Sequence, residues 1–194
     1  MLAKVARGSK DLDVRDRGDK EVGVVRAGRP VEKAVDRVAL EEPLQLVVNG
    51  HSIAVLMRTP GDDEELAIGF LWTEGIITGG DDVLKVDLTT KENHALVFLD
   101  DGVEVDLTRL TRHLFSASSC GLCGKASIDA ITSLHDPVPD GPSFPESVLL
   151  EAPSFLRSAQ ETFEKTGGLH ASGIFSREGK LLALREDVGR HNAL

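Results

Sequence analysis

The chain has no tyrosine and a single tryptophan, and its 194 residues include only two cysteines and two methionines. Aromatic residues amount to 4%, so the stacked rings that hold single-stranded nucleic acid are in short supply. Positive charge is also scarce: 22 basic residues face 32 acidic ones, for a net charge of −10. No basic stripe stands out to recruit a phosphate backbone, which argues against a nucleic-acid partner. Long hydrophobic runs are missing too. The best candidate, Leu66 to Trp72, is broken by Gly69 and falls short of the roughly 18 apolar residues of a membrane helix, so no membrane partner is expected. Residues 1–20 carry Lys, Arg and Asp without the apolar core of a secretory signal, and the expected location is the cytoplasm.

What is present is ordinary globular composition, 41% hydrophobic and 28% charged. A chain of this length can bury roughly 70% of its extended surface without metal or disulfide support. Residues 1–20 read as a solvated, disordered tail of mixed charge, and residues 21–115 as a β-rich N-terminal domain. Leu44–Val48, Asn49-Gly50 and Ser52–Arg58 form a hairpin signal, since Asn-Gly supplies the positive φ angles of a type I′ turn. A second hairpin is expected from Ala95–Leu99 and Val103–Leu107 around Asp101-Gly102. Between them a helix opens at Thr59–Glu65, with Leu66 and Phe70 on one face and Gly75 as its stop. Its acidic first turn is read as complementing the helix dipole rather than as catalytic.

Residues 116–194 read as an α/β domain. Ile128, Ile131 and Leu134 have helical spacing, and a loop holding Pro137, Pro139, Pro142 and Pro145 follows. Ser147–Leu150 suggests a short strand. Pro153–Thr166 suggests one helix with Pro153 near its first position, ended by Gly167-Gly168. Leu169–Phe175 and Lys180–Arg185 suggest two strands joined at Arg177-Glu178-Gly179, and a helix begins near the final residues, Arg190–Leu194. The fold class is thus α/β (α+β).

Both cysteines lie in one run, Ser118-Ser119-Cys120-Gly121-Leu122-Cys123-Gly124-Lys125. A secreted scaffold spreads its cysteines to staple distant segments, whereas a local C-x-x-C points to thiol chemistry or metal binding. The helix expected just after it and the Lys125 ammonium would favour the thiolate. Sulfur transfer, dithiol redox chemistry and zinc binding all fit these residues. Zinc requires further ligands, and no second C-x-x-C or finger-spaced pair of histidines supplies them. Downstream, His170 stands among small residues in Gly167–Gly173, and Arg185-Glu186-Asp187-Val188-Gly189-Arg190-His191-Asn192 ends a strand. Loops at strand ends bind ligands in α/β sheets, and paired arginines suit phosphate or carboxylate.

Together these segments resemble the FdhD family of formate dehydrogenase accessory sulfurtransferases. The motifs are Ser119–Gly124, Gly168–Gly173 and Arg185–Leu194, with Glu42-Pro43-Leu44 and Thr59–Leu71 upstream, across about residues 36–194. The resemblance implies a β-rich half followed by a cytidine-deaminase-like α/β domain, and a homodimer. It implies that Cys120 accepts sulfur as a persulfide from a cysteine desulfurase, with Cys123 as helper or resolving thiol. The sulfur then passes to the molybdenum (or tungsten) bis-guanine-dinucleotide cofactor before its insertion into formate dehydrogenase. That cofactor is substrate; no tightly bound cofactor and no resident metal are expected. His170, Arg185, Asp187, Arg190, His191 and Asn192 are the expected cofactor contacts. Family chains continue past this sequence's last residue, so a C-terminally truncated member is expected. A non-enzymatic cofactor chaperone, or a zinc-binding interaction module, is the alternative. The zinc-deaminase reaction is not expected, because the cysteines precede His170 and Ser172 stands in place of the catalytic Glu.

Overall fold

The computed structural model describes residues 17–24, 32–103, 105, 140–141 and 143–194. Among these, strands β1 (Arg17–Val24) and β2 (Glu32–Ala39) pair as an antiparallel ribbon. Residues 17–20, which composition places in a charged tail, therefore begin a strand: cross-strand pairing overrides their polarity.

The core is a four-stranded mixed sheet in the order β4-β3-β6-β5. Its strands are β3 (Glu42–Val48), β4 (His51–Arg58), β5 (Val83–Asp87) and β6 (His94–Leu99). Strand β3 is antiparallel to β4 and parallel to β6. Alternation places Leu44, Leu46, Val48, Ala95, Val97 and Leu99 on the inner face, where they are buried with Ile53. Asn49 and Gly50 have φ values of 46° and 84°, the backbone expected of their turn. The Asn49 side chain also accepts the Leu99 N–H, which ties the turn to β6.

Helix α1 (Asp63–Thr73) covers the inner face with Ala67 and Leu71, while Leu66 and Phe70 are only partly buried. The core turn is thus one residue out of phase with the expected pair. Of the second expected hairpin, β6 and the Asp101-Gly102 turn are described, but β6 pairs with β5 and β3. Residues 106–139, including the helix expected after the cysteines, lie outside the described residues.

In the second half, Glu146–Ala159 is helix α2 and Glu161–Thr166 is helix α3. The strand expected at Ser147–Leu150 is instead the first turn of α2, and Pro153 lies inside that helix. Proline favours a first helical position, but packing decides here. Val148 lies against Gly179 and Leu156 against Gly173, on the hairpin formed by β7 (His170–Phe175) and β8 (Leu181–Asp187). The single expected helix over Pro153–Thr166 is broken at Gln160, whose φ and ψ are −81° and 82°. Helix α3 lies against β2 and ends at Gly167 in left-handed backbone.

Candidate functional site

Cys120 and Cys123 lie outside the described residues, as does Lys125. The described part of the candidate site is the end of the β7–β8 hairpin, and it is built on the junction between β4 and α1. Arg58 ends β4 and is buried to 2% exposure. A buried guanidinium needs partners, and each of its three nitrogens has one. Its Nε and Nη2 donate to the two Asp63 oxygens at 2.9 and 3.0 Å, and further bonds reach the Asn93 Oδ1 and the Glu42 carbonyl.

Four residues of the Arg185–Asn192 motif point inward. Arg185 pairs with Glu65 through Nε and through Nη2, the latter at 2.6 Å, and with Asp62 at 3.4 Å. The Glu65 hydrogen bond, aided by the Asp62 charge, holds the guanidinium pKa above its usual value despite partial burial. Glu186 accepts the backbone N–H groups of Thr162 and Phe163, at 3.0 and 2.8 Å, and so caps the start of α3. The Asp187 carboxylate, at 6% exposure, accepts from the Thr59 N–H at 2.8 Å, the Gly189 N–H at 2.7 Å and the Asn192 amide at 2.9 Å. Asn192 also donates to the Met57 carbonyl, and the Val188 N–H donates to the Thr59 hydroxyl.

The remaining expected site residues face outward. His170 pairs in register with Asp187 across the hairpin, and its side chain is exposed. Arg190 and His191 are exposed at the tip of the loop after β8. The structure brings His170, Asp187, Arg190, His191 and Asn192 to one end of β7–β8, and turns Arg185 toward α1.

Thr59, Asp62, Asp63 and Glu65 were not among the expected site residues. Their acidic run reads as dipole complementation, yet three of the carboxylates hold arginines: Asp63 takes Arg58, while Asp62 and Glu65 take Arg185. The available signal was an acidic motif, Thr59–Glu65, in the same chain as a mixed-charge motif with two arginines, Arg185–Asn192. Among the described residues, no three His, Cys, Asp or Glu side chains stand close enough to hold a metal ion. No helix among them is long and apolar enough to cross a membrane.

A family model described as FdhD/NarQ matches residues 39–194, which spans both halves of this site. The chain belongs to the FdhD/NarQ family. It is 43% identical over 171 residues to the sulfur carrier protein FdhD of Streptomyces coelicolor, covering 82% of this chain and 60% of that one. With the sulfur carrier protein FdhD of Mycolicibacterium paratuberculosis it shares 40% over 185 residues, covering 90% and 68%. The Sulfolobus acidocaldarius FdhD is 42% identical over 159 residues, 82% of this chain and 59% of its own. This chain thus spans about 60 to 68% of the first two FdhD relatives. The fold is shared with the crystal structure of a candidate formate dehydrogenase accessory protein from Desulfotalea psychrophila. The TM-score is 0.69 at 22% identity, over 91% of this chain and 65% of that one.

Proposed function

We propose that the chain is a cytoplasmic sulfur carrier for formate dehydrogenase, working as a persulfide sulfurtransferase. The observation that carries this reading is the Ser119–Gly124 cysteine run inside a family match that extends over residues 39–194. In the first step the Cys120 thiolate attacks the outer sulfur of a cysteine desulfurase persulfide. The donor's S–S bond breaks, its cysteine leaves as thiolate, and a Cys120 persulfide forms with no net redox change. In the second step the Cys123 thiolate attacks the Cys120 sulfur. A Cys120–Cys123 disulfide forms, and the outer sulfur, reduced by two electrons, leaves as hydrosulfide toward the molybdenum or tungsten of the bis-guanine-dinucleotide substrate. Cellular thiols then reduce the disulfide.

The binding half of this scheme rests on the geometry of the described residues. Arg190 and His191 offer exposed donors to the guanine-dinucleotide phosphates, with His170 at the same end of the hairpin. Arg185 already meets two carboxylates, so it contributes to the shape of the site more than to its free charge. A homodimer would present two such sites.

The test is intact-protein mass after incubation with a cysteine desulfurase and cysteine. A reducible gain of one sulfur atom, lost in Cys120→Ala, is the expected result. No gain in a folded, reduced protein would leave a cofactor chaperone or a zinc-binding module as the better reading.

A further inference from the structure

The loop after β8 is fastened at both ends to residues 128 to 135 positions earlier in the chain. At its start, the Val188 N–H donates to the Thr59 hydroxyl at 3.1 Å and the Gly189 N–H to Asp187. At its end, the Asn192 amide bridges Asp187 and the Met57 carbonyl. The Asn192 and Ala193 N–H groups both turn back to the Gly189 carbonyl, which closes a single helical turn. Between the fastenings stand Arg190 and His191, exposed and without a side-chain partner among the described residues. The loop is also tightly seated, because a Cβ on Gly189 would lie 3.0 Å from the Asn192 Nδ2.

Asp187 is therefore poorly placed to meet a ligand. Both of its oxygens are engaged inside the protein, and the residue is buried. We propose that Asp187 and Thr59 are positioning residues, a buried latch that sets where Arg190 and His191 present themselves to a nucleoside diphosphate group. The proposal rests on the nucleotide-binding reading given above. It goes beyond that reading in making affinity depend on a threonine of the N-terminal half that touches no ligand. A short loop held at both ends loses little entropy when phosphate arrives, whereas a free loop would have to be ordered by the ligand.

The test compares Thr59→Val, which removes the hydroxyl acceptor at nearly constant shape, with Thr59→Ser, which keeps it. Guanosine diphosphate binding is measured by calorimetry, and backbone amide exchange is followed at residues 188–193. Thr59→Val should raise Kd on the order of tenfold, as for a lost buried hydrogen bond, and speed exchange at Val188. Thr59→Ser should match the wild type in both. Gly189→Ala, which crowds the Asn192 amide and the Asp187 oxygen it bonds, should behave like Thr59→Val and serves if that variant fails to fold. Faster exchange with unchanged binding would overturn the positioning role, and so would unchanged exchange. A wild-type chain that shows slow exchange in this loop yet no affinity for the diphosphate would remove the nucleotide reading, and the positioning role with it. That failure would appear in the wild type and not in the variants.

Discussion

The Cδ1 of Leu156 lies 2.6 Å from the point where a Cβ on Gly173 would stand. The glycine of the Gly168–Gly173 motif thus makes room for α2 on the hairpin, and its place is set by packing. Gly173→Ala should push Leu156 and Leu181 off their seats and cost about 1 to 3 kcal/mol. Urea unfolding of the two proteins would measure it. A stability within about 0.5 kcal/mol of the wild type would mean that the leucines move aside freely.

The second cysteine has a separable role in the proposed scheme. Cys123→Ser should load sulfur as the wild type does but release hydrosulfide slowly, so that the Cys120 persulfide accumulates. Time-resolved mass spectrometry distinguishes this from a loading defect. Equal release rates would assign the second step to an external thiol.

Arg190→Ala should weaken guanosine diphosphate binding on the order of tenfold, the loss of one charged hydrogen bond to phosphate. Because Arg190 is exposed, the variant's melting temperature should stay that of the wild type. A parallel fall in melting temperature would make Arg190 part of the scaffold.

Asp63 is the main partner of a buried guanidinium, so Asp63→Ala leaves the Arg58 charge with only the half-exposed Glu42 carboxylate, 3.7 Å away, to balance it. A loss of about 3 kcal/mol or more is expected, far beyond that of a surface ion pair. Arg58→Met in the same background should recover part of it, since an apolar chain of similar length needs no counter-charge. Failure to recover would place the value of Arg58 in its bonds to Asn93 and Glu42.

Asp87 accepts hydrogen bonds from Lys85, Thr89 and Thr90, and these hold its carboxyl well below the usual 3.8. Its contribution is therefore present above about pH 4 and is lost as acid protonates it. Asp87→Asn should melt below the wild type at pH 7, with the gap narrowing in strong acid. A gap of constant size would show that the amide serves the turn as well as the carboxylate does.

Much of the N-terminal sheet is legible because its signals are local: alternation in β3 and β6, and Asn49-Gly50 between β3 and β4. Helix α2 is less so. Pro153 advertises a helix start, but the true start at Glu146 is dictated by Val148 and Leu156 meeting glycines on a hairpin that sequence cannot place. The same holds for the candidate site. Its motif Arg185–Asn192 is visible as a charged run, yet which members face solvent depends on Thr59 and Glu65, more than a hundred residues away. No periodicity encodes that.

The pairing of β3 with β6 also orders events during synthesis. These strands run parallel, so β6 can join β3 only after β4, α1 and β5 have been made and the intervening chain has looped back. Asp187 can reach Thr59 only later still, because it lies 128 residues beyond that threonine. A nascent chain can therefore complete its sheet first, and the Arg190–His191 loop can be fixed only after Asp187 and Asn192 have both emerged. Until then that loop has no settled place on the hairpin.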